Sequence, residues 1–202
     1  KGNVKVIDSL KDLTIDAEEI TYEKNLEKIS TKGKSLAKTK NITVNAEEFE
    51  YDKNLNILNA KGDVKIEDKV KKFVILSENI TYFKDKEKFI SKSKSEAFGE
   101  NLNVKAEEFE YDKNLNILNA YGNVIIDDKI QELLVFAENI TYLRNKEKIF
   151  TYGKTEAVVQ SKYNFNSKDT ELFRNEKKLQ SSEKTVVKDD DDTIYNLDNF
   201  EY

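Results

Sequence analysis

Apolar residues along this chain recur in short runs with a period of two. Leu58, Ala60, Gly62, Val64 and Ile66 fall on one face of an extended segment, and Leu118, Ala120, Gly122, Val124 and Ile126 repeat the pattern, with polar and charged residues between them. The run that precedes each is less regular. Leu102, Val104 and Ala106 share one parity, whereas Phe109 and Tyr111 take the other. A one-residue slip at the same place in successive units predicts a β-bulge or bend that keeps both halves facing one core while curving the sheet. The Thr, Val, Ile, Tyr and Phe content favours strand throughout, and the Lys-Glu-rich stretch from Lys84 to Lys88 is the segment most open to helix.

The pattern is one unit copied along the chain. The segment Ala46 to Ala60 (AEEFEYDKNLNILNA) recurs residue for residue from Ala106 to Ala120, and looser copies open at Ala17, Ser77, Ala137, Ser167 and Leu197. Each copy reads as strand, charged turn, strand, which places Lys24-Asn25, Lys53-Asn54, Lys84-Asp85, Lys113-Asn114 and Asn145-Lys146 at hairpin tips. Gly33, Gly62, Gly122 and Gly153, with Ser93 in the equivalent slot, interrupt the second run and predict a corner there; close approach of a ligand to bare backbone is the rarer reading. Units of about thirty residues without long loops favour stacked hairpins, each touching mainly its neighbours. The predicted class is all-β: an elongated antiparallel double sheet over residues 1–202, built from six to seven repeats as a single domain.

Composition narrows the chemistry. Among 202 residues there is no Cys and no His, which removes disulfides, thiolate or imidazole metal sites and Ser-His or Cys-His nucleophiles, so no catalytic residue, metal site or cofactor is predicted. The net charge of −5 comes from interspersed acids and bases, and no basic face marks a nucleic-acid partner. No apolar run has the length of a membrane-spanning helix. The acidic pairs Glu18-Glu19, Glu47-Glu48 and Glu107-Glu108 point to opposite faces of a strand and read as solvated positions rather than paired general acids and bases. The run Asp189 to Asp192 lacks the ligand spacing of a calcium loop and reads as a charged hairpin turn. The repeat-equivalent aromatics Phe49, Tyr51, Tyr82, Phe109, Tyr111 and Tyr142 are expected in the core. Between two facing sheets the inward residues would form an apolar channel, and a groove if the sheets part along one side.

The motif Ala-Glu-Glu-Phe-Glu-Tyr-Asp, a turn, Leu-Asn-Ala and then Gly-Asp-Val or Gly-Asn-Val resembles the OstA-like repeat of the LptA superfamily of lipopolysaccharide-transport proteins. That superfamily includes LptA, LptC and the periplasmic N-terminal domain of LptD. The resemblance covers nearly the whole chain, is clearest from Ala17 to Ala157 and weakens after Ser161. It implies a V-shaped β-jelly roll in the periplasm, associated with the outer membrane, whose interior shields lipid A acyl chains without enzyme activity or cofactor. By this resemblance the chain is most like the N-terminal domain of LptD, although LptD proteins often carry cysteines that are absent here; a free LptA-like bridge is the alternative. The implied lipid-binding residues are Phe49, Leu58, Val64, Ile66, Ile80, Phe109, Leu118, Val124, Ile126 and Ile140, with Phe49, Ile80, Phe109 and Ile140 expected opposite the others. The implied partners are lipopolysaccharide, other Lpt jelly rolls joined head to tail by strand addition, LptE and the LptD barrel. A reading of another class is a structural β-solenoid that binds protein partners and no lipid, which would need a sealed core rather than an open groove.

The repeat phase also bears on the two ends. Lys1-Gly2-Asn3-Val4 matches Lys61-Gly62-Asp63-Val64, and Asn196 to Tyr202 matches Asn45 to Tyr51, so the segment is expected to be cut from a longer chain in mid-unit. The absence of Met agrees with an excised or mature segment. Val4, Val6 and Ile7 are then the expected docking edge for a partner strand.

Overall fold

The computed structural model describes residues 2–10 and 12–202; Lys1, the first residue of the N-terminal repeat match, lies outside them. The chain is all-β and antiparallel, and it divides into two compact units, Lys1–Glu100 and Asn101–Tyr202. The first unit holds β1 (Val4–Asp8), β2 (Leu13–Ala17), β3 (Glu19–Glu23), β4 (Lys28–Lys32), β5 (Ser35–Lys38), β6 (Ile42–Ala46), β7 (Glu48–Asp52), β8 (Ile57–Asp68), β9 (Phe73–Phe83), β10 (Lys88–Ser91) and β11 (Ser95–Phe98). The second holds β12 (Leu102–Ala106), β13 (Glu108–Asp112), β14 (Ile117–Asp128), β15 (Leu133–Leu143), β16 (Lys148–Val159), β17 (Tyr163–Lys168), β18 (Glu171–Phe173), β19 (Lys178–Ser181), β20 (Thr185–Lys188), β21 (Ile194–Leu197) and β22 (Phe200–Glu201).

Each unit is a pair of strand arrays sharing its long strands. In the first unit, sheet I runs β1–β2–β5–β6–β8–β9–β11, and sheet II runs β3–β4–β7–β8–β9–β10. In the second, sheet I runs β12–β14–β15–β16–β17–β20–β21, and sheet II runs β13–β14–β15–β16–β18–β19–β22. Strands β8, β9, β14, β15 and β16 therefore belong to sheet II along one half of their length and to sheet I along the other.

Glycine makes the corner where β8, β14 and β16 change sheet, at Gly62, Gly122 and Gly153. Along β8, Lys61 faces Asn79 and Val64 faces Ser77, so three steps on one strand oppose two on the other. Gly62 takes up the extra length at φ +75° and Asp63 follows at φ +44°. The slip in the first run is the other half of the same corner: Ala106 ends β12, Glu107 is skipped, and its N–H donates to both Tyr121 O and Gly122 O at 3.1 Å. Buried hydroxyls line the inside of the bend and satisfy one another, as in Thr31 with Ser35 at 2.6 Å, Ser77 with Ser91 at 2.7 Å and Thr151 with Thr155 at 2.7 Å. At Gly122, φ is +75° and an added Cβ would meet the Glu107 carboxylate at 2.6 Å. Gly122→Ala is therefore expected to cost about 1–2 kcal/mol from left-handed backbone alone, measured as a lower denaturant midpoint at unchanged slope.

The expected turns are turns. Lys24-Asn25, Lys53-Asn54 and Lys113-Asn114 occupy four-residue tips, and Lys84–Lys86 and Arg144–Lys146 are single 3₁₀ turns, the only helical elements among the described residues. Asp189 to Asp192 is the β20–β21 turn: the Asp189 carboxylate accepts from the N–H groups of Asp191 at 3.0 Å and Thr193 at 2.8 Å and from the Tyr195 hydroxyl at 3.0 Å.

Candidate functional site

The inward faces of the two sheets meet in an apolar interior within each unit. All ten residues singled out from the sequence lie there. Phe49, Leu58, Val64, Ile66 and Ile80 in the first unit, and Phe109, Leu118, Val124, Ile126 and Ile140 in the second, are at most 3% exposed. Their alternation with exposed neighbours follows from the pleat, since Lys65 points outward between Val64 and Ile66.

Their distribution differs from the expected one. Phe49 and Ile80 both face Ala60 across sheet II, the sheet that also holds Leu58, and Phe109 and Ile140 flank Ala120 in the same way beside Leu118. Val64, Ile66, Val124 and Ile126 lie beyond the corner in sheet I. The reason is the bend: one long strand supplies both walls, so residues on its two sides of the glycine face one another. The six repeat-equivalent aromatics are also buried in this interior.

The rim farthest from the corner carries a polar motif that recurs at the repeat spacing. At five hairpin tips of sheet II the last residue before the returning strand is left-handed and carries a carboxylate or amide: Glu27, Asn56, Glu87, Asn116 and Glu147 all lie at φ between +48° and +58°. A tyrosine five positions earlier donates its hydroxyl to that residue's side chain: Tyr22 to Glu27 at 2.7 Å, Tyr51 to Asn56 at 2.7 Å, Tyr82 to Glu87 at 2.9 Å, Tyr111 to Asn116 at 2.9 Å and Tyr142 to Glu147 at 2.7 Å. Neighbouring tips are joined in turn, because the carbonyl of the left-handed residue accepts the next tip's N–H, as from Lys53 to Glu27 at 3.0 Å and from Arg174 to Glu147 at 2.9 Å. Burial raises the Tyr51 hydroxyl to about 12 and, with Glu87 and Glu147 alongside, pushes those of Tyr82 and Tyr142 higher still.

This motif was not anticipated, although its signal is in the sequence: Tyr followed five residues later by Glu or Asn in the five copies from Ala17 to Ala137, with Leu172 and Lys177 in its place in the copy that opens at Ser167. Its partner is an aspartate at sixty-residue spacing. In the second unit Asp128 ends the sheet I part of β14 with its side chain fully buried, and its Oδ2 accepts from Arg174 Nε at 2.6 Å. The Arg174 Nη1 also donates to the Tyr142 hydroxyl at 3.1 Å and pairs with the Glu147 carboxylate, both on sheet II. In the first unit Lys53 Nζ lies 3.7 Å from Asp8 of sheet I and 3.4 Å from Glu27 of sheet II.

The expected docking residues lie on β1, which among the described residues pairs with β2 alone; Val4 and Val6 are half-buried, and Ile7 is exposed. No family model and no curated protein matches the sequence. Among solved structures the fold is similar to that of LptH, described as the LptA homologous periplasmic component of the conserved lipopolysaccharide transport device from Pseudomonas aeruginosa. The TM-score is 0.50, with 17% identity over 54% of this chain and 81% of that one.

Proposed function

We propose that the chain carries lipopolysaccharide through the periplasm towards the outer membrane, its two sheets shielding the acyl chains while the sugars stay in water. The observation that carries this reading is the apolar interior, walled by two bent sheets in a fold shared with a periplasmic transport component. Each methylene kept from water is worth about 0.8 kcal/mol, so a polyacyl lipid crossing an aqueous space needs such a wall. The work is binding and guidance, without catalysis or cofactor. Within the LptA superfamily we read the chain as an LptD N-terminal domain, with a free LptA-like bridge as the alternative. The β1 edge at Val4, Val6 and Ile7 would receive a strand from another Lpt jelly roll, and LptE and the LptD barrel would follow on the outer-membrane side.

A second reading has one observation in its favour: the interior is closed, as a structural β-element binding only protein partners would require. A photo-activatable side chain at Val64 or Val124 separates the two. Under the transport reading it captures lipopolysaccharide, and the same group at exposed Lys65 does not. Capture equal from both faces, or from neither, contradicts the acyl-shielding role.

A further inference from the structure

The closed interior sets a mechanical condition. Inward side chains that are at most 3% exposed pack against one another, so an acyl chain enters only if the two sheets separate. They cannot separate at the corner, where β8 and β9 in the first unit and β14, β15 and β16 in the second run unbroken from one sheet to the other. Separation must occur at the opposite rim, and there a cation ties the sheets together. Arg174 joins Asp128 on sheet I to Glu147 and Tyr142 on sheet II, and Gln131 Nε2 of the sheet I turn adds a bond to Arg174 O at 2.8 Å. Lys53 joins Asp8 to Glu27 in the first unit.

Exposed apolar residues occur among the charged residues of the rim turns. Turns on the sheet I rim expose Leu10 and Ile130, and turns on the sheet II rim expose Leu26, Leu55 and Leu115, each more than half accessible. Reached from the Arg174 tie through Gln131, a cavity of about 190 Å³ lies between the rims, its mouth mixing Gln131, Glu132 and Lys177 with Ile130, Leu179 and Tyr202; buried Leu133 and Val159 reach into it from the core. An apolar cavity of about 150 Å³ is enough to hold a benzene ring, so the volume here accommodates the end of an alkyl chain, with Leu133 and Val159 as its apolar floor and polar groups at its mouth.

We infer that the Asp128–Arg174–Glu147 tie, and its counterpart Asp8–Lys53–Glu27, are lateral gates through which an acyl chain passes sideways into the interior, starting in the second unit at the cavity reached through Gln131. The inference rests on the acyl-shielding reading above. Opening the gate returns Asp128 and Arg174 to water, where each is solvated, so the tie is reversible without leaving a bare charge in the core.

The test uses the full chain with a small diazirine side chain at Val124 and purified lipopolysaccharide in detergent-free buffer. The double variant Asp128→Asn/Arg174→Met removes the tie without stranding a charge and is expected to be captured severalfold faster than the parent. Arg174→Lys, which keeps the charge and loses the fork, is expected to lie between them and serves if the double variant fails to fold. The chain has no native cysteine, so Ile130→Cys/Lys177→Cys can be stapled specifically across the rim with a bis-maleimide. The stapled protein is expected to lose at least tenfold in capture relative to the same protein unstapled. Undiminished capture by the stapled form means entry from the ends, and overturns the gate while the acyl reading stands. A block by the staple with no acceleration from either Arg174 variant overturns the role of the tie. Absence of capture in every form removes the acyl reading and the gate with it.

Discussion

Ile126→Asp is expected to unfold the second unit. Ile126 is 1% exposed and lies between Val104 on β12 and Val135 on β15, in the apolar interior. Burying it costs the lost aliphatic contacts and either an unpaired charge or a carboxyl forced to stay protonated, together at least ~4 kcal/mol. A domain of this kind has about 5–15 kcal/mol in total, so one substitution consumes much of the reserve. Hydrogen exchange should show β12, β14 and β15 losing protection, whereas Lys65→Ser on the outward face should change stability by less than about 1 kcal/mol. Lipid capture by the Ile126 variant has meaning only beside that stability measurement, because packing and passage fail together.

Alkaline pH is expected to unfold the protein through its rim tyrosines. Burial raises Tyr51 to about 12, and Tyr82 and Tyr142 go beyond, against about 10 for a free tyrosine. The folded pKa values lie above the unfolded ones, so the neutral hydroxyls favour folding fully below about pH 10, and that contribution disappears as pH rises through 12 and above. Tyr51 alone accounts for on the order of 2 kcal/mol of this loss. Tyrosinate absorbance should rise in two steps, the exposed tyrosines first and the buried ones together with the loss of β circular dichroism. Tyr142→Phe removes a titrating group and a bond to both Glu147 and Arg174, so it should weaken the protein at neutral pH and blunt the alkaline step. A single smooth tyrosinate titration near the free value, with the fold intact, would show that these hydroxyls are not buried.

Local pattern carried most of the architecture. Period-two alternation in Leu58 to Ile66 marks strand and its inward face without reference to any partner, and charged turn residues at a fixed phase mark the tips. The parity slip between Ala106 and Phe109 and the glycine at position 122 were both visible, yet that they are the two halves of one corner depends on pairing Glu107 with Tyr121 and Gly122, a long-range register. For the same reason the assignment of Phe49 and Ile80 to the wall opposite Leu58 did not hold: alternation tells which residues face inward, and only the bend tells which sheet they end in. The rim ties were the least legible. Asp128 and Arg174 are forty-six residues apart, and a charged residue in a charge-rich chain looks solvated until the fold buries it.

Whether the space between the sheets receives acyl chains is read directly from an experimental structure of the chain saturated with a lipid A-bearing glycolipid. The sheets are expected to be drawn apart at the rim, with the corner unchanged and alkyl density running between Phe109 and Val124 while the sugars stay outside. A closed interior identical to that of the free protein, with lipid bound only against the outward faces, would contradict the acyl-shielding role.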